Sequence, residues 1–195
     1  ENDSVMHDLT RRSPLRTVGY DYLMTSSADP RGIDVALMYK PTTFRPFAHR
    51  DLCLPLGRTR DVLLVSGQLY TGDTLDIFVC HLPSRLNGKE SAKQRDSVVE
   101  RICHAIDSLN RVRHTPRIVV MGDFNDTPMS YVYNTLSEDL YDAFSEQGSG
   151  FGYTYRPMWG LLRIDYILYS EGFEALNYKA DNEVLLSDHL PVVAR

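Results

Sequence analysis

Short apolar runs alternate with polar connectors along the chain, and the spacing of the apolar positions distinguishes two kinds of element. Residues 32–39 (GIDVALMY), 61–69 (DVLLVSGQL) and 74–81 (TLDIFVCH) have the length and aliphatic content of strands. Between the last two, Thr71-Gly72-Asp73 within residues 70–73 reads as a hairpin turn. Residues 87–111 form the longest helix candidate. Their apolar positions Ala92, Val98, Val99, Ile102, Ala105, Ile106 and Leu109 recur every three to four residues along one face. Pro116 ends that segment, and residues 118–121 (IVVM) follow as a short, wholly apolar strand suited to the inside of a sandwich. Residues 129–136 predict a short helix after Pro128, and residues 163–169 (RIDYILY), 173–179 and 191–194 predict further strands. Strands in this number with helices between them fit an α/β chain whose β-sandwich is flanked by helices. The hairpin argues against a purely parallel sheet.

Composition narrows this further. With 195 residues, 43% of them apolar, the chain suits a single domain over residues 1–195 with one sizeable core. No run approaches the ~20 apolar residues of a membrane span. The net charge of −5 argues against a broad basic surface, so any nucleic-acid contact is expected to be local or metal-mediated. Cys53, Cys80 and Cys103 form no CxxC pair, which removes a disulfide framework. Cys80 in an apolar run and Cys103 on the apolar helix face read as small buried hydrophobes. Neither a Gly-x-Ser-x-Gly elbow nor an HExxH helix is present, which leaves serine-hydrolase and zinc-peptidase chemistry without support.

Candidate chemistry sits where polar residues end apolar strands. The run Ile118–Met121 passes into Gly122-Asp123-Phe124-Asn125, with Gly122 expected to let the chain leave the strand. Asp123 and Asn125 are expected on one side of an extended chain, where a carboxylate and an amide can ligate a hard cation or orient a water. In Ser187-Asp188-His189, the Asp can ligate a metal and the His can contact a phosphoryl oxygen. His81 ends another strand, and Arg85 on the following loop can pair with phosphate bidentately. Asp165 is a charge inside an otherwise apolar strand; it needs a partner, and His189 is a natural one. Taken singly, each segment has an ordinary reading as a turn, a solvated residue or a structural histidine.

In this order, His81, Gly-Asp-Phe-Asn, Arg-Ile-Asp-Tyr and Ser-Asp-His make a specific series. With it, the chain resembles the endonuclease/exonuclease/phosphatase superfamily over essentially its whole length. The phrases DPRGIDVALMYKP and FGYTYRPMWGLLRIDYIL resemble its bacterial branch. The resemblance implies a four-layer α/β/β/α sandwich of the deoxyribonuclease I-like type. It implies that Asp123 activates the attacking water, that Asn125 orients it, and that His189, held by Asp165, stabilises the phosphoryl oxygens. By the same resemblance His81 stands beside the scissile phosphate, and Mg²⁺ or Mn²⁺ is held by Asp188 with Asp123 and Asn125. The implied reaction is in-line attack of water on a phosphodiester. Nucleic acid is the first substrate expectation and a lipid phosphodiester the second. The inositol-phosphatase branch is disfavoured, because it carries Trp-Cys-Asp-Arg where this chain has Leu162-Arg163-Ile164-Asp165. A non-catalytic relative acting as a binding module is the alternative. Arg31, Arg85, Lys89, Lys93 and Arg95 are candidates to face a phosphate backbone, and a solvated helix face explains Lys89, Lys93 and Arg95 equally well.

Members of the superfamily begin with a strand carrying an Asn and a second strand ending in a metal-ligand Glu. The chain opens Glu1-Asn2-Asp3. The resemblance aligns Glu1 just after that ligand, so the fold is expected to be N-terminally incomplete, weakly active alone and exposed at the neighbouring strands.

Overall fold

The computed structural model describes residues 2–12, 15–25, 34–52, 62–85, 88–113, 115–157 and 161–195. Glu1, Arg31, Cys53 and the first residues of the strands expected from Gly32 and Asp61 lie outside them. The strands are β1 (Asp21–Met24), β2 (Ala36–Tyr39), β3 (Phe44–Asp51), β4 (Val62–Leu69), β5 (Thr74–His81), β6 (Arg117–Asp123), β7 (Tyr141–Asp142), β8 (Asp165–Tyr169), β9 (Tyr178–Ala180) and β10 (Val192–Ala194). The helices are α1 (Asp3–Arg11), α2 (Leu15–Val18), α3 (Lys89–Val112), α4 (Tyr131–Ser137) and α5 (Ala143–Gln147).

Six strands form one sheet in the order β3-β4-β5-β6-β8-β7. The β4–β5 hairpin turns at Tyr70–Asp73, where Gly72 has φ +93°. The β5–β6 pairing is parallel and needs a crossover, which α3 supplies. The apolar stripe of α3 (Val98, Val99, Ile102, Ala105, Ile106) seats on one face of the sheet against Phe78, Ile118 and Val120. Ile102 is fully buried there, a placement that contributes roughly 1.5–3 kcal/mol relative to an exposed side chain.

On the other face, Leu63, Val65 and Ile77 pack with Val35 and Leu37 around the β1–β2 pair. Further along, Tyr169, Val119 and Ile167 pack with Tyr178 and Ala194 of the β9–β10 pair. Val79 and Met121, on neighbouring strands β5 and β6 of this face, are half-buried. With both faces covered, β4 reads as the continuous run Val62-Leu63-Leu64-Val65 rather than an alternation. α1 meets β1, where the Tyr22 hydroxyl donates to Asp3 at 2.8 Å. The layers therefore run α/β/β/α. Among the described residues the second β layer consists of two separate two-stranded pairs.

Several expectations shift in detail. The helix expected at 129–136 begins at Tyr131, because the Ser130 hydroxyl caps the Tyr133 N–H at 3.2 Å. The strand expected at 173–179 begins only at Tyr178 and runs to Ala180. β3 has no counterpart among the expected strands: it is a mostly exposed edge strand with Pro46 at a bulge, so it lacks an apolar pattern. Arg95, expected as a backbone-facing or solvated residue of α3, is buried, whereas Lys89 and Lys93 are exposed.

Candidate active site

The strand register builds the centre of the site. Across the parallel β5–β6 pair, His81 stands opposite Asp123. Across the antiparallel β6–β8 pair, Asp123 stands opposite Asp165. Laterally paired residues share a face of the sheet, so three ionisable side chains from three adjacent strands lie side by side. His81 Nε2 is 3.6 Å from Asp123 Oδ2, an electrostatic contact beyond hydrogen-bond length.

Gly122 acts otherwise than expected, since the strand continues through it to Asp123. Its φ is +129°, and a Cβ there would lie 2.0 Å from the Cys80 carbonyl oxygen. The absent side chain allows β6 to lie against β5 at the level of the site. Asn125 also differs from the extended geometry expected, because it adopts φ +51°. In that left-handed turn its N–H donates to Asp123 Oδ1 at 2.7 Å. Its side-chain amide donates to Asp123 Oδ2 and to the Leu82 carbonyl, each at 2.9 Å. With both amide protons committed, Oδ1 is what Asn125 has to offer a water or a cation.

His189 Nδ1 lies 2.9 and 3.1 Å from the two carboxylate oxygens of Asp165. This hydrogen bond, with added charge from Asp165, Asp123 and Asp188, raises the His189 pKa above that of free imidazole, while burial opposes it. The bond commits Nδ1 to Asp165, so Nε2 is the nitrogen left for a substrate. The Tyr155 ring packs against the imidazole with centroids 4.9 Å apart.

These groups surround a cavity of about 770 Å³, which His81, Arg85, Asp123, Asn125, Asp165, Asp188 and His189 all line. Asp123, Asn125, Asp165, His189, His81, Arg85 and Asp188 are thus brought to one place, whereas Lys89, Lys93 and Arg95 do not line the cavity. Tyr155, Leu162 and Ile164 supply apolar wall. Asp188 is exposed at the cavity, its carboxylate 3.4 Å from the Ser187 hydroxyl. Arg85 is expected from the sequence to present a bidentate fork to phosphate. Its guanidinium instead forms an ion pair with Asp126, with more than half of the side chain exposed. The other Asp126 oxygen accepts from buried Arg95 Nε at 2.9 Å, and Arg95 also donates to the Pro83 carbonyl at 2.9 Å. This pair braces the loop after Asp123 against the loop after His81. It could have been foreseen for Arg95, which occupies the apolar stripe of α3 three and four residues before Val98 and Val99.

Donor atoms of Asp123, Asp165 and His189 lie within 4.8 Å of one another, a group able to hold a metal. Asp165 and His189 already bind each other, so a cation taking both would displace their hydrogen bond. Asp123, Asp188 and Asn125 Oδ1 are oxygen donors lining the same cavity, and such a set suits a hard divalent cation better than a soft one.

Residues 1–192 match the Endonuclease/Exonuclease/phosphatase family. The chain belongs to this family. Solved structures of the same fold include a mannosyl-6-phosphatase of Bacteroides thetaiotaomicron, 19% identical, with 97% of this chain and 80% of that chain covered at a TM-score of 0.75. An endonuclease/exonuclease/phosphatase of Bacteroides vulgatus is 19% identical over 99% of this chain and 80% of that one, at a TM-score of 0.73. The human nocturnin catalytic domain, solved with a sulfate anion, is 22% identical over 96% of this chain and 76% of that one, at a TM-score of 0.69. No curated protein matches the chain. Endonuclease/exonuclease/phosphatase proteins are phosphoester hydrolases that generally use divalent metals, and the chain belongs to that general class of enzyme.

Proposed function

We propose that the protein is a divalent-metal-dependent phosphodiesterase that cleaves by in-line attack of water. The carrying observation is the pairing of two hydrogen-bonded groups across one cavity: the Asp123 carboxylate beside Asn125, and the His189 imidazole held by Asp165. Asp123 accepts the proton of the attacking water, and Asn125 Oδ1 orients that water. His189, its pKa raised by Asp165, presents Nε2–H to a phosphoryl oxygen as negative charge builds there. His81, beside Asp123, faces the same oxygens. Asp188, Asp123 and Asn125 Oδ1 would hold Mg²⁺ or Mn²⁺, whose charge when bound lowers the cost of the developing phosphoryl charge. Arg85 binds the substrate's phosphate by exchanging its contact with Asp126, which remains neutralised by Arg95. Nucleic acid is the first substrate class and a lipid phosphodiester the second.

The test is Mg²⁺-dependent hydrolysis of an aryl phosphodiester and of plasmid DNA, with a chelator and Asp188→Ala as controls. Activity abolished in both controls supports the reading. A folded protein that turns over neither substrate contradicts it and favours a narrow phosphomonoesterase or a binding module.

A further inference from the structure

We propose that Thr154 is a positioning residue that sets the relative placement of Asp165 and His189. Its effect on turnover rests on the phosphodiesterase reading above. Thr154 is completely buried. Its Oγ1 accepts from the backbone N–H groups of Ile164 at 3.0 Å and Asp165 at 3.1 Å. Its own N–H donates to the Leu162 carbonyl at 2.9 Å, and its carbonyl accepts from the Leu190 N–H at 2.7 Å. One residue therefore grips the segment that delivers Asp165 and the segment that delivers His189. Neighbouring bonds extend the grip: Tyr155 bridges to both Leu162 and His189, and the Arg156 N–H donates to the Asp188 carbonyl at 2.8 Å.

The topology makes such a clasp necessary. Asp165 opens β8 within the six-stranded sheet, whereas His189 lies on the loop before β10, which belongs to a separate two-stranded pair. Strand register fixes Asp165 against Asp123 but does not reach His189. The Nδ1-to-carboxylate distance of 2.9 Å must then be set by whatever ties the two segments together. A threonine suits this role, because a β-branched residue is stiff at χ1 and its hydroxyl holds one position. Two amides at the start of β8 rely on that oxygen, and a buried N–H left without an acceptor is costly.

Thr154→Val keeps the shape and removes the acceptor, while Thr154→Ser restores the acceptor without the γ-methyl group. Three readouts separate positioning from bulk stability: thermal unfolding, kcat and KM on an aryl phosphodiester, and the NMR resonance of the His189 Nδ1 proton. In Thr154→Val we expect that resonance to broaden or vanish and kcat to fall about ten- to a hundredfold, the scale of a small misplacement of reacting groups. KM should stay within about twofold, and Thr154→Ser should recover kcat to within about threefold of the parent. A folded Thr154→Val protein with the resonance and kcat unchanged overturns the proposal, as does a kcat in Thr154→Ser no better than in Thr154→Val. If Thr154→Val does not fold, Thr154→Ala replaces it, because the space it leaves admits a water to the two amides. Amide exchange in the parent protein is an independent check: slow exchange at Ile164 and Asp165 is required, and fast exchange overturns the clasp. If the parent hydrolyses nothing yet the resonance still responds to Thr154→Val, the clasp stands and the phosphodiesterase reading falls.

Discussion

The His189 imidazole is surrounded by Asp165, Asp123 and Asp188, and the first of these holds its Nδ1. A histidine whose folded pKa is raised stabilises the native state below the unfolded value of about 6.5, and that contribution is lost as pH rises through the folded pKa. Asp165→Asn removes the largest cause of the rise and leaves the charges of Asp123 and Asp188, which act upward, against burial, which acts downward. The His189 pKa, followed by NMR titration of the ring, should therefore fall from its value in the parent. The stability gap between parent and variant should be wider at acidic pH than at alkaline pH; an unchanged ring titration would sink the assignment. Asp123→Asn makes a second residue-scale prediction. It keeps the volume and removes the proton acceptor, so kcat should fall at least about a hundredfold in a protein that remains folded. Asp123, Asn125, Asp165 and His189 are legible in the sequence because each interrupts or borders an apolar strand where core packing has no use for a polar group. Thr154 is not, since a threonine in a loop carries no such contradiction. Asp126 is hidden for the same reason, being one more polar residue after a turn.

At the scale of elements, the site is a consequence of register. β5, β6 and β8 end or begin at the same level, and a shift of one residue in β6 would turn Asp123 to the opposite face. Gly122 holds this level, since a Cβ there would run into the Cys80 carbonyl and its φ of +129° strains any other residue. Gly122→Ala should destabilise the protein by more than about 2 kcal/mol in urea unfolding and lower activity with it. A cost under about 0.5 kcal/mol would show that the β5–β6 pairing has slack the geometry does not suggest. The sequence carries the existence of β4, β5, β6, β8 and α3 because their apolar patterns are long or uninterrupted. It does not carry β1 or β3, or α1 and α5. β1 is half-buried throughout and β3 is largely solvent-facing, so neither shows strict alternation. α1 buries only Met6 and Thr10, and its start is marked by the Asn2 cap on Val5 and by Asp3 in the first turn.

For the whole molecule, the deciding quantity is charge. The chain carries −5, and its basic residues near the cavity are partly spent: Arg85 faces Asp126, and Arg95 is buried against the same carboxylate. Lys89 and Lys93 stand exposed on the first turns of α3. Among the described residues, a surface of this kind offers a phosphate backbone one or two direct cationic contacts beside the cavity. Each contact releases about 0.9 of a counterion from duplex DNA, so the logarithm of affinity should fall with the logarithm of salt at a slope of about −1 to −2. Raising salt from about 50 to about 200 mM should then weaken binding of a DNA substrate by roughly tenfold or less, against the roughly thousandfold or more of proteins with about six to ten phosphate contacts. Hydrolysis of a small aryl phosphodiester, which needs only the cavity, should respond less still. The measurement is KM for an oligonucleotide duplex and for the aryl diester across that salt range at constant Mg²⁺. A shallow slope for both places recognition in the cavity and suits a small or amphiphilic phosphodiester as readily as DNA. A steep slope confined to DNA would mean that an extended cationic surface meets the backbone, and the substrate class would then be nucleic acid despite the acidic balance of the chain.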